Sequence, residues 1–90
     1  MNVKEAVRLA KAYVADLYEA ENISNLGLEE VYAESGDWIV TLGFSRPWDR
    51  NAVGLAAIAQ QLSAPPRSYK TVRIDDVNGT VTALRNRDVA

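Results

Sequence analysis

Two pairs of adjacent carboxylates, Glu29-Glu30 and Asp75-Asp76, are the first places to look for chemistry in this chain. Acid–base catalysis by carboxyl groups needs two of them facing one cleft, with pKa values driven apart by different surroundings. Neighbours along a strand point to opposite faces, so neither pair converges unaided. A solvated strand edge suits Glu29-Glu30. Turn entry suits Asp76, which lies just before Asn78-Gly79. The chain has no histidine and no cysteine. Their absence removes the usual general base near neutral pH, the commonest metal ligand, disulfides and thiolate zinc sites. The serines and asparagines have no base partner that would make a nucleophile. The glycines are scattered and form no phosphate-binding loop or dinucleotide fingerprint. The sequence therefore predicts no catalytic residue, no metal site and no cofactor.

Binding is better represented. Trp48 follows Pro47 and is flanked by Arg46 and Arg50, the residue types of interface hot spots. The alternative role for Trp48 is to cap the open end of a small core. With Arg67 and Tyr69 further along, these five residues are the candidate partner-binding set. Charge is also polarised along the chain: residues 1–37 hold eight acids against three bases, and residues 38–90 hold four acids against seven bases. Such a distribution either steers a partner or a second copy, or reflects ordinary mixed charge on solvated faces. A net charge of −2 and the lack of a basic run argue against nucleic acid.

The elements that must position these residues follow from periodicity. Val3, Ala6, Val7, Ala10, Val14 and Leu17 form one helical stripe, with Lys4, Arg8, Lys11 and Ala15 opposite. Asn2 is a candidate N-cap with Glu5 three residues on, which predicts a helix from residue 3 to 19 or 20. Tyr13 and Tyr18 border the stripe, rings inward and hydroxyls outward. Asn22, Ser24, Asn25 and Gly27 break the pattern, with Ile23 and Leu26 tucked beneath. Residues 28–34 and 37–44 read as two strands around Ser35-Gly36. Trp38, Val40, Leu42 and Phe44 face the helix, and Ile39 faces away as an exposed residue or part of a contact surface.

Residues 67–85 read as a second hairpin. Its turn is expected at Asn78-Gly79, in the type I′ geometry that needs positive φ at both central residues. Val72 and Ile74 point to the core with Val81 and Ala83 across from them, and a bulge or strand end is expected near Leu84. Residues 52–62 fit a short helix through Leu55, Ile58, Ala59 and Leu62, stopped by Pro65-Pro66; a long connection is the alternative. The tail from residue 86 frays. The expected architecture is α+β: an N-terminal amphipathic helix on a four-stranded antiparallel sheet, with a possible short helix between strands 2 and 3.

Ninety residues, 48% of them hydrophobic, suit a single domain spanning 1–90. No apolar run approaches the roughly 20 residues that a membrane helix needs, and no secretory signal is visible. A cytoplasmic location is therefore expected. The order helix, strand, strand, strand, strand resembles the cystatin-like and PepSY-like class of small domains. Asp75 or Asp76, Gly79 and Val81 sit where the last PepSY-like hairpin carries its acid, its glycine and its hydrophobic strand start. The resemblance implies that fold and the inhibition of a peptidase. The Gln-x-Val-x-Gly loop of true cystatins is absent from the chain. The leading expectation is a non-catalytic protein-binding module, of inhibitory, immunity-type or accessory character. The rivals are a self-assembling structural subunit, and a small ligand-binding domain or enzyme that uses carboxylates.

Overall fold

A computed structural model describes residues 1–47 and 67–87. A helix, α1 (Val3–Leu17), leads through a short 3-10 turn (Glu19–Glu21) into four strands: β1 (Ser24–Glu34), β2 (Asp37–Ser45), β3 (Ser68–Asp75) and β4 (Val81–Asn86). The strands form one antiparallel sheet in the order β1-β2-β3-β4. The helix lies across one face, over β1, β2 and β3. The expected α+β arrangement is thus present. The proposed helix over residues 52–62 lies outside the described residues.

Asn2 starts α1 as expected: its side-chain oxygen accepts from the Glu5 backbone N–H at 2.9 Å. That satisfies one of the donors a helix leaves unpaired at its start. The buried contact line is Ala6, Ala10 and Val14. These small side chains let the helix axis approach the sheet. The line is narrower than the stripe read from sequence, because Val3 and Leu17 at the two ends are exposed, as is Tyr13. Opposite the line sit Val40, Leu42, Phe44, Val72 and Ile74, all fully buried. Ile23, Leu26, Val31 and Trp38 pack around them. Among the described residues no helix is long and apolar enough to cross a membrane.

The hairpins differ from expectation in an informative way. The two-residue turn with positive φ at both centres is Ser35-Gly36, at 50° and 80°, and it closes Glu34 against Asp37. That is the type I′ pattern, whose twist matches the strands it joins. At Asn78-Gly79 only Gly79 has positive φ. There the loop is longer: the Gly79 N–H donates to the Asp75 carbonyl at 2.8 Å. The Asp75 carboxylate accepts from the N–H groups of Val77 and Asn78. Asp75 organises this loop by its side chain, so a second left-handed residue is not needed.

Irregularities also move faces. β1 begins at Ser24 rather than at 28, with register shifts between Ser24 and Gly27 and between Leu28 and Glu30. In β4 the shift falls between Val81 and Ala83, earlier than expected. Thr82 is the extra residue. As a result Val81 and Leu84 both pack on the helix side, while Ala83 pairs with Arg73 on the other.

If these turns are assigned correctly, Ser35→Asn should raise the melting temperature, since Asn tolerates φ near +50° better than Ser. Gly79→Ala should cost about 1 kcal/mol, the lower end of the left-handed penalty for a residue with Cβ. Asn78→Ala should stay within about 0.5 kcal/mol. Thermal unfolding of the three variants checks the assignment.

Candidate functional site

The sheet face away from α1 carries four ion pairs among the described residues. Strand pleating brings Glu30, Tyr32 and Glu34 of β1 to this face, with Asp37, Ile39, Thr41 and Gly43 of β2 beside them. Tyr69, Thr71 and Arg73 of β3 and Ala83 and Arg85 of β4 complete it. Arg67, just before β3, and Arg87, just after β4, extend the row of cations.

Long side chains from both flanks lie over β2. Arg67 donates from Nη2 to the Asn25 carbonyl at 2.9 Å and stands 3.8 Å from Glu29 Oε1. Asn25 takes φ 57° within the irregular start of β1. A Cβ on Gly43 would come within 3.0 Å of Arg67 Nη2, Arg67 Nε and Glu29 Oε1. Gly43 is therefore the position where this guanidinium crosses the strand, a close approach that only glycine leaves open. Arg73 donates to Asp37 at 2.7 Å and to Glu34 at 3.2 Å. These bonds, Asp37's foremost, hold its guanidinium more firmly protonated than usual. Arg87 reaches to 4.0 Å from Glu30. Between the pairs, the Thr41 and Thr71 hydroxyls meet at 3.2 Å.

Two sequence expectations change here. Ile39 faces away from the helix as predicted, but it is only 4% exposed. Its cross-strand neighbours are Tyr32 and Arg73, and side chains of that length can lay their stems along apolar surface. Glu29 and Glu30 do not point to opposite faces. The bulge between Leu28 and Glu30 turns both toward the cations.

The candidate partner-binding residues do not form one patch. Arg67 and Tyr69 belong to the open face. Arg46 lies on the helix side, its guanidinium 5.3 Å from the Tyr18 ring centre, 5.4 Å from that of Phe44, and 3.7 Å from Glu21. Tyr18 and Phe44 themselves stack at 5.2 Å. Lys70 joins this cluster 5.9 Å from Tyr18 and donates to Asn86. Burial, and after it the nearby Arg46, lowers the Lys70 pKa. Trp48 and Arg50 lie outside the described residues.

A feature the sequence reading missed sits along β1. This strand is an outer edge of the sheet, eleven residues long. Among the described strands it pairs with β2 alone. Beside it, on the helix side, Val3, Lys4, Val7 and Leu28 line an apolar groove of about 260 Å³. Leu28 and Tyr32 are large apolar residues left exposed on the strand itself. The signal lay in the stripe: Val3 and Val7 exceed what a helix covering a narrow sheet can bury. A hollow of about 400 Å³ at the C-terminal end of α1 has Tyr18 and Glu19 as its ionisable lining. Among the described residues no three acidic side chains are placed to share a metal ion.

No family model, characterised protein or solved structure matches the chain.

At the turn end of the sheet, the Trp38 indole donates to Asp76 at 2.7 Å, with the Met1 amino group 3.4 Å away. The indole bond, then the amino group, lowers the Asp76 pKa despite some desolvation. A carboxyl depressed in the fold stabilises it above the unfolded pKa, ordinarily near ~3.9, and that contribution is lost as pH falls through the folded value. Carboxyl NMR titration should find Asp76 below the ordinary range in the native chain. It should move upward in Trp38→Phe, and the acid limb of that variant's stability curve should be shallower. An unmoved Asp76 would show that the indole bond does not set it.

Proposed function

We propose that the chain is a non-catalytic protein-binding module that takes an extended segment of another polypeptide along the β1 edge. The observation that carries this is that β1 is an outer strand of the sheet among the described residues and has an apolar groove beside it. An edge strand presents a row of backbone donors and acceptors to any strand that can reach it. Strand addition draws its affinity from those bonds and its specificity from pockets for alternate side chains. Here one set of alternate positions would meet Val3, Val7 and Leu28. The other would meet Glu30, Tyr32 and Glu34. The fitting ligand is therefore a segment that alternates apolar and basic residues.

The disposition of the ionisable groups supports a non-catalytic role. The carboxylates of the open face are tied to arginines rather than gathered around a cavity. Arg67, engaged by Asn25 and Glu29, acts in this proposal as support for β1 rather than as a contact residue. The helix-then-four-strands order is also the one the PepSY-like resemblance implies, and modules of that shape act by occupying a partner.

Selection of short peptides against the immobilised chain tests the proposal. The selected sequences should alternate apolar and basic residues, and their binding should shift the NMR signals of β1 and of Val3 and Val7. Leu28→Asp should weaken binding at least about tenfold, since it places a charge in the groove. Peptides without that alternation, or shifts confined to other faces, would overturn it.

A further inference from the structure

We infer that the partner of the β1 edge includes a second copy of this chain, whose β4 pairs with it head to tail. This rests on the proposed binding role of the β1 edge and names one occupant for it. Among the described residues the sheet has β1 and β4 as its outer strands. Charge decides which edges can meet. β1 carries Glu29, Glu30 and Glu34, which Arg67, Arg87 and Arg73 of the same chain approach at 3.8, 4.0 and 3.2 Å; β4 carries Arg85, which is outside those pairs. Pairing β1 with β1, or β4 with β4, would set like charges side by side, which destabilises a ladder. Only β4 against β1 opposes unlike charges.

Strand direction agrees. Four strands alternate in direction from β1 to β4, so a copy shifted sideways places its β4 antiparallel to the next β1. The sheet then continues with its alternation unbroken. In the register that sets Arg85 opposite Glu30, Ala83 meets Tyr32 and Leu84 meets Val31. Open-face residues then fall beside open-face residues, and helix-side residues beside helix-side ones. Arg85 is exposed and has no ion-pair partner among the described residues.

The helix leaves room for this. α1 covers β1, β2 and β3 but makes little contact with β4. The outer margin of the incoming β4 would come up beside the border of α1, with the half-buried Leu84 on the same side as the groove lined by Val3, Val7 and Leu28. Because the two surfaces differ, the contact is heterologous and does not close on itself after one addition.

The test is sedimentation velocity of the full chain over a wide concentration range at low and high salt. The native chain should form species that grow with concentration and shrink as salt screens the edges. Arg85→Glu and Glu30→Arg should each weaken association at least about tenfold. Mixing the two variants should restore it, because each interface in the mixture again opposes unlike charges. Circular dichroism establishes that each variant is folded, and Arg85→Gln serves if Arg85→Glu is not. A native chain that stays monomeric, a dimer that does not grow, single reversals without effect, or a mixture that fails to assemble would each overturn the inference. If peptides still bind β1 in that event, the binding role stands and only the second copy as partner is lost. If peptides fail as well, both fall.

Discussion

Strand β2 is enclosed on both faces, and each face is closed by different chemistry. On one, Val40, Leu42 and Phe44 meet the alanine line of α1. On the other, Ile39 and Thr41 are almost as deeply buried, with Tyr32 and Arg73 flanking the first and Glu30 and Thr71 the second. Among the described residues the one long helix, α1, lies on the first of these faces. Arg67 crosses over Gly43, and Arg73 stands opposite Ile39 in the register with its guanidinium on Asp37 and Glu34; stems of that length can lie along apolar surface. Exposed ion pairs contribute only about 0–1 kcal/mol each, so the pairs serve more to hold the stems in place than to stabilise by charge.

This arrangement has consequences for the edges. The carboxylates of β1 pair with Arg67, Arg73 and Arg87, and the Arg73 pairs with Asp37 and Glu34 tie the first hairpin to the third strand. Arg85 on β4 is exposed and stands outside these pairs. Bulges and charges on an edge strand are devices that discourage indiscriminate pairing. β1 has both, yet its apolar groove and length leave it able to accept a strand of the right pattern. The proposed binding role and the proposed self-pairing both arise from that combination.

Much of the fold was legible in the sequence, because its signals are local and periodic. The Asn2 cap, the helical stripe and the alternation Trp38, Val40, Leu42, Phe44 each concern residues within one or two turns or strands. What was not legible depended on register. One extra residue in β1 brings Glu29 and Glu30 to the same face, and one in β4 exchanges Ala83 for Leu84. Nothing in composition marks such insertions. Likewise, Asn78-Gly79 has the stronger type I′ signature, but Asp75 captures that loop by hydrogen bonds, and the tight turn forms at Ser35-Gly36 instead. Arg46, Trp48, Arg50, Arg67 and Tyr69 are alike in type, but type alone does not place residues on one surface. Alternation across the sheet puts Arg46 on the helix side and Arg67 and Tyr69 on the other. Applying the same alternation to the arginines would have revealed the cationic row.

The central claim, that arginine side chains close the outer face of β2, is tested most directly by a soluble paramagnetic probe. In the native chain the Ile39 methyl signals should be as protected from the probe as those of Val40. In Arg73→Ala they should broaden markedly while those of Val40 stay sharp. Ile39 methyls that are already broadened in the native chain, or that remain protected once the arginine is gone, would contradict the account.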